Sequence, residues 1–227
     1  MLIRLDGSHH RWLGEDGPQF ALLFAVEGAP FCDQEDSLSH FRLLQGLIRR
    51  RSIPLALHTD RHPVFKHRSE HQPAGTATQS GRALDELGMQ LIFALSPQAK
   101  GRVERAAGPF QDRLITELRL SGATTVEEVR AVLEQFLPRY NRRFRVPPQC
   151  SEPAFRPAGP ELSLGQILCF KHLRRVARDN TVKFHGHTLL ILPGRHRPSY
   201  AGAVVMPDGL DGRLSLRHEG RISASRE

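Results

Sequence analysis

The chain has 227 residues and a formal net charge of +8 at pH 7, which suits one large domain or one domain followed by a smaller one. No apolar run approaches the roughly 18 residues of a membrane span. No signal-peptide pattern begins the chain, and the isolated cysteines, Cys32, Cys150 and Cys169, form no obvious disulfide framework. These features exclude a membrane-spanning helix and a disulfide-stapled secreted domain, and we expect a soluble cytoplasmic protein.

The positive charge is concentrated in the second part of the chain. Residues 1–138 carry 16 Lys and Arg against 17 Asp and Glu, whereas residues 139–227 carry 16 against 7. A neutral first part and a basic second part favour a polyanion as the ligand of the second part. A generic basic surface explains the charge equally well.

Two strands and a helix are predicted before residue 52. The apolar run that begins the chain predicts a strand that reaches Asp6, and the apolar run at residues 20–26 predicts a second, buried strand. Residues 33–51 place apolar side chains on one helical face, and Asp36 or Ser37 can cap this helix. The arginines at its end suit the negative end of the helix dipole better than a DNA contact.

A third strand and a long loop follow. Residues 53–57 predict a buried strand, so Asp60 lies just past its carboxyl end, where open α/β sheets place their sites. Residues 61–80 are polar, rich in histidine and without periodicity, which is typical of a long functional or disordered loop. Residues 78–87 predict a short helix that Gly88 closes.

The stretch at residues 91–118 combines a strand with a long helix. Its apolar start, residues 91–95, predicts a buried strand, and Ser96 followed by Pro97 predicts a helix start. Lys100 and Glu104 have the i, i+4 spacing that places both on one helix face, and a solvated ion pair explains them as well as a functional role does. Pro109 falls inside this helix and is expected to kink it.

The remaining chain is predicted to change from helical to β structure. Thr125 and Glu128 match a capping box that starts a second long helix. Residues 146–160 are rich in proline and predict a linker. Beyond them, five short strands separated by tight turns indicate a small barrel or sandwich. The strands are predicted at residues 168–176, 181–184, 187–192, 201–206 and 213–218, and the turns at Asp179-Asn180, His185-Gly186, Asp208-Gly209 and Asp211-Gly212.

Three carboxylates are the candidate chemical centre. Asp6 and Asp60 end predicted strands and Glu104 lies on a predicted helix, so the three could converge on one point. Carboxylates in a chain that also carries Lys and Arg suit two Mg²⁺ ions acting on a phosphodiester. Strand-end aspartates also cap turns, so the residues alone leave both roles open.

Three blocks stand in order along the chain: DGSHHRW at residues 6–12, HTDRHPVF at 58–65 and SPQAKGRVER at 96–105. Together they resemble the catalytic core of DDE insertion-sequence transposases, most of all the ISNCY-like group, whose core is of the retroviral-integrase type. The third block is the most specific, and the similarity covers about the whole chain. The resemblance implies an α/β fold: an RNase H-like mixed sheet flanked by helices, followed by a small all-β barrel.

The same resemblance implies domains, a site and a reaction. It places the catalytic core at residues 1–148, a linker at 149–163 and a basic β-barrel at 164–227. By that match Asp6, Asp60 and Glu104 are the catalytic triad and bind Mg²⁺ or Mn²⁺, in metal-dependent DNA cleavage and strand transfer. The implied partners are DNA, as element ends and target, with homo-oligomerisation left open. The candidate DNA contacts are Gln98, Lys100, Arg102 and Arg105 on the helix and Arg174, Arg175 and Arg178 in the barrel.

Two departures from the family leave an alternative open. The chain begins at the first core strand, so the helix-turn-helix region that recognises element ends is expected to be missing, as in an N-terminally truncated protein. Most of one hairpin between the first strand and the first helix, around residues 24–31, also looks deleted. The alternative is therefore a catalytically inactive remnant that only binds DNA. A metal-free α/β protein without a nucleic-acid partner is a third hypothesis, which would predict no DNA binding at low salt.

Overall fold

The computed structural model describes residues 3–13, 19–25, 31–32, 34–65, 78–94, 97–144, 154–184, 186–194, 197–210, 213–218 and 221–226. Within these ranges, the structure does not describe the side chains of residues 3–6, 24–25, 31, 97–106, 205–210, 213–215, 217 and 221–226. The chain divides into two compact units, Met1–Leu162 and Ser163–Glu227.

The first unit consists of a mixed sheet with helices. Its described elements, in chain order, are β1 (Ile3–His10), β2 (Phe20–Ala25), β3 (Phe31–Cys32), α1 (Ser37–Arg51), β4 (Ile53–Pro54), β5 (Ala56–Thr59), α2 (Gln79–Glu86), β6 (Gln90–Phe93), α3 (Pro97–Ser121), α4 (Val126–Phe144) and β7 (Phe155–Arg156). The sheet has the order β3-β2-β1-β5-β6, antiparallel from β3 to β1 and parallel from β1 to β6. This is the mixed α/β arrangement expected for the core.

Helix ends are set by the capping residues that the sequence indicates. The carboxylate of Asp36 accepts a hydrogen bond of 2.8 Å from the backbone N–H of Ser39, so it is the cap of α1. At α4, Thr125 Oγ1 accepts from Glu128 N–H at 3.3 Å, and Glu128 Oε2 accepts from Thr125 N–H at 3.0 Å. The predicted capping box is therefore confirmed. The N–H of Thr124, which donates to Glu128 Oε2 at 2.7 Å, and then the N–H of Thr125 hold the pKa of Glu128 below its ordinary value.

The two long helices pack as an antiparallel hairpin on the antiparallel side of the sheet. Phe110 of α3 meets Phe136 of α4 edge to face, with ring centroids 5.3 Å apart. Trp12 belongs to the same core, and its indole N–H donates to the carbonyl of Phe20 at 3.0 Å. Helix α3 continues through Pro109 without interruption. No helix in the described part of the chain is long and apolar enough to cross a membrane.

Part of the predicted linker packs on the first unit. Phe155 and Arg156 form β7, which pairs with β4. The guanidinium of Arg156 donates to the carbonyl of Leu87, just before Gly88. Gly88 has a φ of +60°, which closes α2 in the conformation that glycine adopts without strain. The segment after residue 153 therefore continues the core rather than running free of it.

The second unit is mostly β structure. Its described elements are α5 (Leu164–Ile167), β8 (Phe170–Lys171), β9 (Arg174–Arg175), β10 (Thr181–Phe184), β11 (His187–Leu190), β12 (Val204–Leu210), β13 (Arg213–His218) and β14 (Arg221–Arg226). One sheet has the order β14-β13-β12-β8 with β9 also on β12, and β10 and β11 form a hairpin. No pairing among these described strands closes the sheet, so the barrel stays a prediction.

Two predictions for the second unit are wrong in detail. Residues 168–176 form two short strands rather than one, since Lys171 pairs with Asp208 and Arg175 pairs with Val204. The turn predicted at Asp208-Gly209 lies inside β12, because β12 continues to Leu210, which pairs with Arg213. The other predicted Asp-Gly turn, Asp211-Gly212, lies outside the described residues.

Candidate active site

The first two carboxylate positions lie on adjacent strands. Strands β1 and β5 are parallel, with Ile3 opposite Leu57 and Arg4 opposite His58. If this register continued for two more residues, Asp6 would be level with Asp60, which directly follows β5. Neighbouring strands are about 4.8 Å apart, so we expect these two positions to lie near each other at the carboxyl end of β5.

Asp60 begins a tight turn directly after β5. Its Oδ1 accepts a hydrogen bond of 3.0 Å from the backbone N–H of His62, and the N–H of Phe65 donates to the carbonyl of His62 at 2.9 Å. The aspartate is partly buried. The turn-capping role foreseen for a strand-end aspartate is therefore present, and it holds the carboxylate at the strand end.

The other predicted site residues are placed only by their backbone. Asp6 lies in β1, and Glu104 lies in α3, which begins three residues after Ala94. The side chains of Asp6 and Glu104 lie outside the described residues, so the triad stays a prediction. The same holds for the DNA contacts proposed on α3, which are Gln98, Lys100, Arg102 and Arg105. In the second unit Arg174 and Arg175 lie in β9 and Arg178 follows it, and all three are exposed.

A carboxylate that the sequence analysis did not single out lies beside the Asp60 turn. The side chain of Glu35 is only 9% exposed and faces imidazoles from three elements. Its Oε2 lies 3.5 Å from Nε2 of His9 in β1, and its Oε1 lies 3.6 Å from Nε2 of His40 in α1. The same Oε1 lies 3.9 Å from Nδ1 of His62 in the turn. We call these four residues, Glu35, His9, His40 and His62, the Glu35 cluster.

His40 is the buried member of the Glu35 cluster. Its side chain is fully buried, and its Nδ1 lies 2.8 Å from the carbonyl oxygen of Asp36. Because a carbonyl only accepts, Nδ1 carries the proton and donates it. Nε2, which faces Glu35, has no hydrogen-bond partner within the described structure. Burial lowers the pKa of His40, and the Asp36 carbonyl and the Glu35 carboxylate oppose that effect.

The sequence carried only a weak signal for the Glu35 cluster. Histidine at position 40 shares the apolar face of α1 with Leu44 and Leu47, which marks it as a core residue. Glu35 stands next to the helix cap, where an acidic residue needs no further explanation. Its partners come from three segments that are distant in the chain, so only the tertiary structure shows them.

The donor chemistry of the predicted triad fits a hard divalent cation. Three carboxylates supply the oxygen ligands that Mg²⁺ and Mn²⁺ prefer, and Asp6 and Asp60 lie on or directly after two strands that pair in parallel. Among the side chains that the structure describes, no group of three His, Cys, Asp or Glu is arranged to hold a metal ion. The fit therefore rests on the backbone register and on the carboxylate type.

A groove between α3 and α4 shows no comparable chemistry. It has a volume of about 620 Å³ and lies between the aromatic rings of α4 and the polar face of α3. Glu117 in its lining accepts a hydrogen bond of 2.9 Å from Arg139, and the guanidinium of Arg113 lies 4.7 Å from the ring centre of Phe144. Arg113, Glu117 and Arg139 in this groove are thus paired or stacked, which points to packing rather than to catalysis.

Curated relatives of the chain are transposases. The chain is 34% identical over 237 residues to "Putative transposase y4bF" of Sinorhizobium fredii (strain NBRC 101917 / NGR234), covering 96% of this chain and 50% of that protein. It is 32% identical over 151 residues to "Transposase for insertion sequence IS1202" of Streptococcus pneumoniae, covering 63% of this chain and 32% of that protein. The chain thus spans half or less of the length of these relatives. No protein-family model matches. The resemblance to transposases is confirmed.

Solved structures of retroviral integrases are also similar to the chain. The catalytic core domain of BIV integrase is 23% identical with a TM-score of 0.45, over 65% of this chain and 86% of that one. The simian T-cell lymphotropic virus intasome in complex with PP2A regulatory subunit B56 gamma is 16% identical with a TM-score of 0.49, over 99% and 78%. Both TM-scores are low, so the core assignment rests on the strand order and on the curated relatives.

Proposed function

We propose that this chain contains the catalytic core of a DDE-type transposase that cleaves DNA and joins the resulting ends to a target. The observation that supports the proposal most is the parallel pairing of β1 with β5, in which Ile3 lies opposite Leu57 and Arg4 opposite His58 and from which we expect Asp6 and Asp60 to lie near each other. The similarity to transposases over 96% of the chain supports DNA as the substrate. The residues named for the site follow from the same resemblance.

The proposed metal ligands are Asp6, Asp60 and Glu104. When bound, Mg²⁺ or Mn²⁺ would supply Lewis-acid charge at the scissile phosphate. The chain contributes the orientation of its carboxylates, and Asp60 is already held by the backbone N–H of His62. Lys100 would contact a phosphate of the DNA strand as a flexible point charge. Gln98, Arg102 and Arg105, on the same helix, would contact the neighbouring backbone.

The proposed chemistry is phosphoryl transfer in two steps. In the first, water attacks a phosphodiester, one P–O bond forms as another breaks, and the leaving 3′ oxygen takes a proton. In the second, that 3′-hydroxyl attacks a phosphodiester of the target: a P–O bond forms to the attacking oxygen as the P–O bond to the target's 3′ oxygen breaks. The attacking hydroxyl loses its proton, and the leaving 3′ oxygen takes one up. The protein mainly positions the strands and provides charge, as in other phosphoryl transfers.

The second unit would supply sequence-independent DNA affinity. Residues 139–227 carry 16 Lys and Arg against 7 Asp and Glu, and Arg174, Arg175 and Arg178 are exposed. Arginines that neutralise phosphates release counterions, so this affinity would depend steeply on salt. We expect this unit to be the small basic β-barrel that the resemblance places after the core.

Cleavage of a pre-nicked DNA end in Mn²⁺ tests the proposal. The full chain should cleave or join this substrate, and Asp60→Asn should remove that activity. Asp85→Asn serves as the matched control, because Asp85 is an exposed aspartate on α2. If wild type and Asp60→Asn are equally inert while salt-dependent DNA binding persists, the chain is a DNA-binding remnant and the proposed activity is wrong.

A further inference from the structure

The carboxylate of Glu35 lies against the backbone of the strand that carries Asp6. A Cβ atom added at Gly7 would overlap Oε2 of Glu35, so the absence of a side chain at Gly7 makes room for this contact. Gly7 directly follows Asp6 in β1. Glu35 therefore reaches the strand one residue from the first proposed metal ligand.

The same carboxylate faces the turn that carries Asp60. Oε1 of Glu35 lies 3.9 Å from the ring nitrogen Nδ1 of His62. The backbone N–H of His62 donates to Asp60 at 3.0 Å. One residue thus touches Glu35 with its ring and holds Asp60 with its backbone.

Burial keeps Glu35 in this place. The side chain of Glu35 is only 9% exposed, and its oxygens lie 3.5, 3.6 and 3.9 Å from ring nitrogens of His9, His40 and His62. Nδ1 of His62 accepts a hydrogen bond from the N–H of Val64 at 3.4 Å, so this ring packs against the carboxylate and does not donate to it. The ring of His40 is itself fixed, because it donates to the Asp36 carbonyl and packs edge to face on Phe65 at 4.9 Å. The Glu35 cluster therefore lies between β1, α1 and the Asp60 turn, with the ring of His40 as its held member.

We propose that Glu35 is a positioning residue, which sets the distance between the strand bearing Asp6 and the turn bearing Asp60. This inference rests on the proposed function, since it assigns Glu35 a role toward those two carboxylates. Glu35 acts through Gly7 and His62 rather than by touching the metal or the DNA. Groups that orient metal ligands in this way are worth about 10- to 100-fold in metal affinity or activity.

Calorimetric titration of the full chain with Mn²⁺, without DNA, tests this role. Glu35→Ala should weaken the Mn²⁺ affinity by about 10- to 100-fold. Glu35→Gln has the same shape and can bond the same neighbours, so it should keep an affinity close to that of wild type. Glu86→Ala is the control, because Glu86 is an exposed glutamate that pairs with Arg82 on α2.

A second variant covers the case in which Glu35→Ala does not fold, as judged by circular dichroism. His62→Ala removes a ring that is 30% exposed and keeps the backbone N–H that donates a hydrogen bond to Asp60. The Mn²⁺ affinity of this variant should also be weaker than that of wild type. Unchanged Mn²⁺ affinity in the folded Ala variants would overturn the positioning role. An equal loss of affinity in Glu35→Ala and Glu35→Gln would also overturn it, because the negative charge of Glu35, and not its contacts, would then be responsible for the Mn²⁺ affinity. If Mn²⁺ binding to wild type does not depend on Asp60, the proposed function itself fails.

Discussion

Glu35 occupies the space that a side chain at Gly7 would need, and this contact joins the segment before α1 to the strand of the first proposed metal ligand. Gly7→Ala should therefore force the Glu35 carboxylate away from β1. The atoms met are the end of a flexible side chain, so the cost should lie at or below the low end of the about 1–3 kcal/mol that overpacking causes. Urea unfolding measures it.

The control for this substitution is Gly108→Ala in α3, where an added Cβ meets nothing within 4 Å. Glycine inside a helix is less stable than alanine by about 0.5–1 kcal/mol, so this variant should gain stability. The Gly7→Ala cost should also shrink in a Glu35→Ala background. An equal cost in both backgrounds would mean that Glu35 is not what the new methyl group meets.

Acid should destabilise the first unit through His40. Burial lowers its pKa in the folded protein, so the unfolded chain binds the proton more readily. The contribution of neutral His40 is complete above the unfolded value near 6.5 and is lost as the pH falls through the lower folded value. Urea midpoints at several pH values measure this loss. His40→Gln, which keeps a donor and does not titrate, should show a smaller loss, whereas identical pH profiles would remove His40 from the explanation.

Hydrophobic packing between α3 and α4 should dominate the stability of the helical hairpin. Phe110 is 1% exposed and contacts the rings of Phe136 and Tyr140. Phe110→Ala should cost about 3–5 kcal/mol. Leu120→Ala, at a position on the same helix that is 80% exposed, should change the free energy of unfolding by less than about 0.5 kcal/mol. Similar losses from both would contradict the assigned core.

DNA binding by the second unit should lose salt dependence when its arginines are replaced. Each arginine that contacts a phosphate contributes about 0.9 to the slope of log K against log salt. The combined change of Arg174, Arg175 and Arg178 to Gln should lower both affinity and slope in fluorescence anisotropy. Arg82→Gln is the control, since Arg82 pairs with Glu86 on α2 at 2.7 Å. An unchanged slope would place the DNA contacts elsewhere.

Local chemistry predicted much of the first unit. Helix ends followed from single residues: Asp36 caps α1, Thr125 and Glu128 cap α4, and α3 begins at Pro97. An apolar run likewise predicted β2, whereas the run at residues 53–57 predicted one strand where the structure has two, β4 and β5, with Leu55 exposed between them. These signals act within a few residues of the chain, and for that reason they are visible without a structure.

Pairing between distant segments was harder to predict from the sequence. Asp208-Gly209 has the composition of a turn, yet the register of β12 and β13 keeps it inside a strand. Phe155 and Arg156 look like linker because they lie among prolines, and they form a strand only because β4 is available to pair. The Glu35 cluster needs three segments to meet, so no local pattern could reveal it.

The central claim is that Asp6 in β1 and Asp60, which directly follows the neighbouring strand β5, share a divalent cation. Mn²⁺ titration of wild type, Asp6→Asn, Asp60→Asn and the double variant tests it most directly, because residues that act as a unit show strongly non-additive losses. We predict that each single change removes most of the Mn²⁺ affinity and that the double variant loses little more. Two independent losses that add, or no loss in either single variant, would contradict a shared site.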